Sequence, residues 1–185
     1  MLATKNKTYD MICIAMFAVI MAVCSWISIP TLVPFTMQTF ALFLSFGVLG
    51  GKRGTLVVVV YVLLGAVGVP VFAGFSSGLG VLMGTTGGYV LGFLLSGLLY
   101  WMFERILGEK IWVRTLSMIL GMITYYIFGT IWFMIVYTQA TGAIGLGAVL
   151  GWCVFPFVVP DIIKMVLALV LSDRLRGIMK KSGQE

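Results

Sequence analysis

The run WCVFPFVVPDIIKMVLALVL, residues 152–171, decides the fold class of this protein. It is long enough to cross a bilayer, because a transmembrane helix needs roughly 20 predominantly apolar residues. Its two charged residues, Asp161 and Lys164, stand three positions apart and therefore project from one face of a helix. A charge at bilayer depth costs about 2.5–3.5 kcal/mol on insertion scales. Two such charges in one helix therefore need a physical reason.

Two interpretations of this pair are open. Asp161 and Lys164 could neutralise each other and only hold their helix against its neighbours, although such pairs rarely improve on apolar residues. The local sequence favours a binding site, because Pro156 and Pro160 each remove a backbone donor and free a carbonyl four residues earlier. Broken helices at membrane depth are tolerated where they line a cavity. We therefore predict that residues 152–164 form one wall of a small-molecule site.

The rest of the chain has the same apolar character. Of its 185 residues, 61% are hydrophobic and only 10% are charged, whereas soluble domains average about 25% charged. Six helices of membrane-spanning type use most of this length, so we predict a single all-α membrane domain over residues 1–185, with tails at about 1–10 and 172–185. The apolar runs place the helices at about 11–29, 39–50, 55–69, 89–103, 115–137 and 148–171.

The charge distribution selects the topology. There are 12 Lys and Arg residues against 6 Asp and Glu, but the basic residues lie between apolar runs and form no single basic face, which argues against nucleic acid as a partner. With six helices and both termini in the cytoplasm, every basic residue except Lys164 is cytoplasmic. The outer loops, at about 30–38, 70–88 and 138–147, then contain no charge. This bias is typical of multi-pass membrane proteins.

The second outer loop, between the third and fourth predicted helices, is PVFAGFSSGLGVLMGTTGG, residues 70–88. Its glycines permit positive φ and close backbone approach, and simple loop plasticity is one explanation for them. The loop is also apolar, however, and an apolar loop over a pocket would be buried as a lid. The polar side chains near it are Thr36, Gln38, Thr39, Thr85, Thr86 and Tyr89.

Small residues recur on the first predicted helix at Ala15, Ala18 and Ala22. Small residues at this spacing let helices approach closely. The pattern fits either packing inside the protein or docking of another membrane subunit.

Motifs for catalysis or for nucleotide hydrolysis are absent from the sequence. There is no histidine, and GVLGGKRGT, residues 47–55, departs from the phosphate-binding loop because Arg53 follows Lys52. The three cysteines have no metal-site spacing. We predict a protein that is not an enzyme and has no cofactor or metal, and any active transport would take its energy from another chain.

Two segments carry a family resemblance. GVPVFAGFSSGLGVLMGTTGGYVLGF, residues 68–93, and PFVVPDIIK, residues 156–164, closely resemble BioY, the biotin-specific S components of energy-coupling factor (ECF) vitamin transporters. One departure is Thr85, where many relatives have proline in a G-P-T-G-G-Y motif. The loss of that proline is expected to alter loop stiffness and to leave the backbone donors in place.

The resemblance implies a six-helix S component in the cell membrane of a prokaryote, with biotin held under the outer loops. The residues it implies for binding are Asp161, Lys164, Gln38, Thr86, Gly87, Gly88, Tyr89, Phe35, Phe72 and Trp152. It implies docking through Ala15, Ala18 and Ala22 onto a membrane-embedded coupling subunit driven by two ABC-type ATPases. An S component for another vitamin, or a small channel or membrane scaffold, are the alternatives.

Overall fold

The computed structural model describes residues 7–182, with side chains described as far as residue 177. Residues 1–6 and 183–185 of the two predicted tails lie outside this part. The described chain is nearly all helix, and its elements are α1 (Lys7–Trp26), β1 (Ser28–Ile29), β2 (Phe35–Thr36), α2 (Gln38–Ala66), α3 (Leu79–Met83), α4 (Gly87–Leu107), α5 (Ile111–Thr141), α6 (Leu146–Cys153) and α7 (Phe155–Ser182). Five helical stretches, with α6 and α7 taken together, are long and apolar enough to span a membrane. The predicted class, an all-α membrane protein, is confirmed.

The long helix α2 is a hairpin of two helical arms. Gly50 has φ 80° and ψ 176°, a conformation that glycine adopts at little cost, and the chain turns back there. A Cβ added to Gly54 would lie 3.1 Å from the Cα of Phe46. Gln38 and Tyr61 are hydrogen-bonded at 2.9 Å, although a straight helix would separate them by roughly 35 Å. The arms, 38–49 and 51–66, correspond to the second and third predicted helices.

Charged side chains gather at one end of the bundle. This end contains the start of α1, the turn of the α2 hairpin, the connection from α4 to α5 and the last turns of α7. The contacts that join these segments are Arg53 with Asp10 at 2.9 Å, Arg176 with Glu109 at 3.4 Å, the Gly51 amide with Glu104 at 2.6 Å, and Arg114 with Asp173. The segments that the charge pattern assigns to one side of the membrane therefore lie together in space.

The uncharged connections occupy the opposite end. A small antiparallel hairpin, β1 with β2, pairs Ser28 with Thr36 and Ile29 with Phe35 and was not foreseen from the sequence. The glycine-rich segment is partly ordered as a 3-10 turn, Ala73–Phe75, and the short helix α3. Trp26 reaches this segment, because its Nε1 donates to the Pro70 carbonyl at 2.8 Å and its ring stacks on Phe75 at 4.9 Å.

Two packing arrangements place the site between these ends. Helix α4 lies close along α5, since a Cβ added to Gly92 would be 2.9 Å from the Cα of Tyr125. Helix α7 packs instead on α2. The sixth predicted helix is broken at Val154, whose φ and ψ are −123° and −62°. The break precedes both prolines, and Pro160 lies inside α7.

Candidate functional site

The site is built around an ion pair on α7. Lys164 Nζ lies 2.9 Å from Asp161 Oδ1, and the two residues are 5% and 3% exposed. Lys164 also donates to the Thr36 carbonyl at 2.7 Å and to Thr39 Oγ1 at 3.3 Å. Its Nζ lies 4.2 Å from the centre of the Phe35 ring, which is within the range of a cation–π contact. All three N–H donors of the ammonium group therefore have partners.

The carboxylate of Asp161 joins three helices. Its Oδ1 accepts from Thr39 Oγ1 on α2 at 2.8 Å, in addition to Lys164. Its Oδ2 accepts from the hydroxyls of Tyr125 and Tyr126 on α5, at 2.8 and 2.7 Å. A carboxylate offers about four lone-pair sites, and four donors occupy them. Burying this charge is tolerable because it is both paired and fully hydrogen-bonded.

A cavity opens beside this pair at the uncharged end of the bundle. Its walls are apolar and aromatic, with a few polar groups that converge on the interior, as in most small-molecule sites. The polar lining consists of Thr36, Gln38, Thr39, Ser76, Thr86, Tyr89, Tyr125, Tyr126, Cys153, Asp161 and Lys164. The apolar lining consists of Val33, Pro34, Phe72, Ala73, Val81, Val90, Phe93 and Phe157.

The glycine-rich segment covers the cavity and is anchored on three sides. Val71 accepts hydrogen bonds from Ser25 of α1 and from the Tyr61 hydroxyl of α2, the latter at 2.9 Å. Tyr61 in turn accepts from Gln38 Nε2. Trp132 Nε1 of α5 donates to the Gly84 carbonyl at 2.9 Å. The segment is therefore held against α1, α2 and α5 by hydrogen bonds to its own backbone.

Most of the predicted binding residues meet in this cavity. Asp161, Lys164, Gln38, Thr86, Tyr89 and Phe72 line it. Phe35 lies beneath Lys164, and its ring stacks on the lining residue Phe157 at 5.8 Å. Gly87 and Gly88 are buried at the start of α4 and stand behind the wall, where added Cβ atoms would collide with the Leu82 backbone and with the Trp132 side chain.

Trp152 does not join the cavity. It is 45% exposed, and its ring contacts Tyr137 edge-on at 6.2 Å. The reason is the rotation of α6, which turns Val149 and Cys153 inward, so that Trp152 faces outward. Cys153 therefore lines the cavity at the position expected for Trp152.

The alanine pattern of α1 does not form one outward face. Ala18 and Ala22 are 2% and 5% exposed and belong to the core, while Ala15 is exposed. Helix α1 packs on α2 and on the 3-10 turn of the glycine-rich segment. Close approach of helices inside the protein thus accounts for Ala18 and Ala22, whereas docking through the three alanines stays a prediction.

Sequence reasoning missed the two tyrosines that hold Asp161. Tyr125 and Tyr126 lie near the middle of α5, whereas membrane tyrosines are enriched at the interfaces. A phenol at that depth needs a hydrogen-bond partner, because an unpaired polar group in hydrocarbon is costly. The adjacent pair of tyrosines was therefore an available signal for a polar partner inside the bundle.

A helical membrane bundle with a cavity at one end, lined by apolar side chains and a fully paired ionic site, has the architecture expected of a small-molecule-binding transport protein. The BioY family model matches residues 2–181. The chain belongs to the BioY family, as its glycine-rich and α7 motifs indicated.

Individual relatives agree with this assignment. The biotin transporter BioY of Thermotoga maritima is 41% identical over 161 residues, which cover 86% of this chain and 91% of that protein. The probable biotin transporter BioY of Pyrococcus horikoshii is 36% identical, with coverage of 92% and 98%. A crystal structure of the S-component for biotin from an ECF-type ABC transporter superposes with a TM-score of 0.83, at 26% identity and 95% coverage of both chains. These relatives are transport proteins, so the predictions of a multi-pass membrane protein and of a non-enzymatic function are confirmed.

Proposed function

We propose that this protein is the biotin-binding S component of an ECF transporter and captures biotin in the cavity beside Asp161 and Lys164. The observation that carries the proposal is this buried ionic site beneath the glycine-rich segment, in a chain of the BioY family. The charged end of the bundle faces the cytoplasm in this proposal, following the positive-inside rule. The cavity then opens toward the outside, where biotin is collected. No cofactor takes part.

The ureido ring of biotin fits the ion pair better than its carboxylate does. Asp161 and Lys164 are neutral as a unit, and a ligand carboxylate placed there would meet the Asp161 charge. The ureido ring is uncharged and offers two N–H donors and one carbonyl acceptor, so it can bond to a carboxylate and an ammonium group at once. Both groups are fully paired in the structure, so the ureido ring has to displace some of these hydrogen bonds when it binds.

The remainder of biotin has matching surroundings. The thiophane ring and the valerate chain are apolar and lie against Phe72, Phe93 and Phe157, which line the cavity. In this orientation the valerate carboxylate lies near Ser76 and Thr86, two partly exposed residues of the cavity lining. There it keeps part of its hydration and avoids the cost of burying an anion.

Transport requires partners, because the chain has no nucleotide-binding motif. We propose that a membrane-embedded coupling subunit and two ABC-type ATPases energise uptake. With Ala18 and Ala22 buried, the docking surface on α1 consists of its outward residues, among them Ala15, Met16, Val19 and Val23.

The experiment is ligand binding by the purified protein in detergent, with calorimetry for biotin and for riboflavin. We expect saturable binding of biotin and none of riboflavin. Iminobiotin, which changes only the ureido group, is expected to bind much more weakly than biotin. Biotinamide, which neutralises only the carboxylate, is expected to show a smaller loss of affinity. Folded protein that fails to bind biotin contradicts the proposed function. A larger loss with biotinamide than with iminobiotin contradicts the proposed orientation.

A further inference from the structure

A second concave surface lies on the outside of the bundle, between α5 and the α6–α7 pair. One wall is a row of α5 side chains spaced one turn apart, Ile123, Ile127 and Ile131, and the facing wall contains Leu150, Val154 and Val158. The three isoleucines are 45%, 57% and 54% exposed. No charged residue is among the described residues that line this groove. The groove is therefore an open, apolar channel along the helix axes.

The groove exists because its two walls belong to different packing units. Helix α5 packs along α4, whereas α7 packs on α2. Between α6 and α7 the backbone departs from helical geometry at Val154, and Val154 lines the groove together with residues from the middle of α5. The seam between the two units is left unfilled by side chains of the described chain.

The depth of the groove determines what can fill it. Helix α5 has 31 residues and is thus roughly 45 Å long at about 1.5 Å per residue, while the hydrocarbon core is about 30 Å thick. Residues 123–131 surround the midpoint of α5, so they lie in the hydrocarbon when both ends of α5 reach the interfaces. Lipid chains are always present at this depth, and a linear chain matches a groove that follows three successive turns.

Tyr126 forms a common wall between this groove and the ligand cavity. Among the described residues, Tyr126 is the one that lines both the groove and the ligand cavity. Tyr126 is 9% exposed, and its hydroxyl donates to Asp161 Oδ2 at 2.7 Å. A molecule in the groove therefore packs against the outer side of a ring whose hydroxyl holds the central carboxylate of the site.

We infer that the groove binds one acyl chain of a membrane lipid, and that this chain supports Tyr126 in its contact with Asp161. Dispersion contacts on the outer side of the ring restrict its rotation. The acyl-chain site stands independently of the ligand, whereas the effect on ligand affinity rests on the proposed biotin binding. The two parts can be measured separately.

The site is tested by photolabelling in nanodiscs made from a phosphatidylcholine with a diazirine at the middle of one acyl chain. Peptides that cover 122–131 and 146–158 are expected to carry severalfold more label than peptides that cover α1, whose outward residues are exposed but form no such groove. Val158→Trp and Leu150→Trp fill the groove and are expected to remove this excess. Val159→Trp is the matched control, because Val159 is next to Val158 in the sequence, is 65% exposed and lies outside the groove.

Even labelling of all exposed helix faces, or labelling that survives both groove-filling variants, overturns the acyl-chain site. For the coupling, delipidated wild-type protein is expected to bind biotin severalfold more weakly and to recover when phosphatidylcholine is added back, while Val158→Trp shows no such lipid dependence. Equal affinity of wild type with and without lipid overturns the coupling. Absence of biotin binding in every sample contradicts the proposed function and leaves the labelling result valid.

Discussion

Tyr126 donates a 2.7 Å hydrogen bond to Asp161 Oδ2, which joins the centre of α5 to the ionic site on α7. Tyr125, its neighbour in the sequence, donates to the same oxygen at 2.8 Å. Adjacent residues on a helix point about 100° apart, so both hydroxyls reach one atom only because the carboxylate lies between their directions. The centre of α5 thereby fixes the orientation of the carboxylate that, in the proposed function, meets the ligand.

Removing either hydroxyl is expected to weaken ligand binding without loss of the fold. A hydrogen bond to a charged group contributes about 1.5–3 kcal/mol, so Tyr125→Phe and Tyr126→Phe should each weaken biotin binding by roughly tenfold or more. The double variant should lose more binding free energy than the sum of the two single losses, because Asp161 Oδ2 is then left without a donor. Calorimetry on purified protein measures this. Tyr137→Phe, on the same helix but outside the cavity, is the control, and an equal loss there would contradict the assignment.

Neutralising Asp161 is expected to have a larger effect. Asp161→Asn removes the charged acceptor for the ureido N–H groups, which is expected to cost about 1.5–3 kcal/mol, or roughly tenfold or more in affinity, for each lost hydrogen bond. It also leaves Lys164 buried without its counter-ion, which is expected to lower the free energy of unfolding by about 3–5 kcal/mol. Asp173→Asn makes the same substitution in the Arg114 ion pair, whose carboxylate is half exposed and lies at the opposite end. Binding and thermal unfolding in detergent are measured for both variants. Similar affinities in the two variants would show that Asp161 has no special role in binding.

The fold was predictable because each apolar run is long and the charges between runs are asymmetric. The first predicted helix, 11–29, corresponds to α1 at Lys7–Trp26, and the predicted pair at 39–50 and 55–69 corresponds to the α2 hairpin. The ion pair was predictable because a buried charge is costly wherever its helix lies. The β1–β2 hairpin was not, since strands of two residues carry no alternating pattern that a sequence can display.

The side chains that surround the ion pair were harder to predict for a different reason. A helix that is apolar on all sides gives no preferred inward face, so sequence periodicity does not determine its rotation about its own axis. The outward position of Trp152 and the burial of Ala18 and Ala22 depend on this rotation, and so do the omitted residues Tyr125 and Tyr126. Tertiary packing determines which side of α1, α5 and α6 faces inward.

The anchoring of the glycine-rich segment is expected to control how long a ligand stays bound. Trp26→Phe keeps an aromatic ring over Phe75 but removes the hydrogen bond to the Pro70 carbonyl. We expect faster biotin dissociation with little change in thermal stability, because opening the cover becomes easier while the helical core is unchanged. Stopped-flow or surface-immobilised binding measures the dissociation rate. Trp152→Phe is the control, because this ring is exposed and packs on Tyr137 of α5, and an unchanged rate in Trp26→Phe would contradict the anchoring role.

The last prediction concerns Gly65, where the α2 hairpin passes directly behind the cavity. A Cβ at Gly65 would fall within the Phe72 ring, so Gly65→Ala has to displace a side chain that lines the cavity and packs on Tyr61. Overpacking of this kind costs about 1–3 kcal/mol. We expect lower thermal stability together with weaker biotin binding. Gly151→Ala in α6 is the matched control, because no atom lies within 4 Å of the added Cβ and helix propensity alone should stabilise it by about 1 kcal/mol. If the Gly65 variant binds biotin as wild type does, the ring of Phe72 has no part in shaping the cavity.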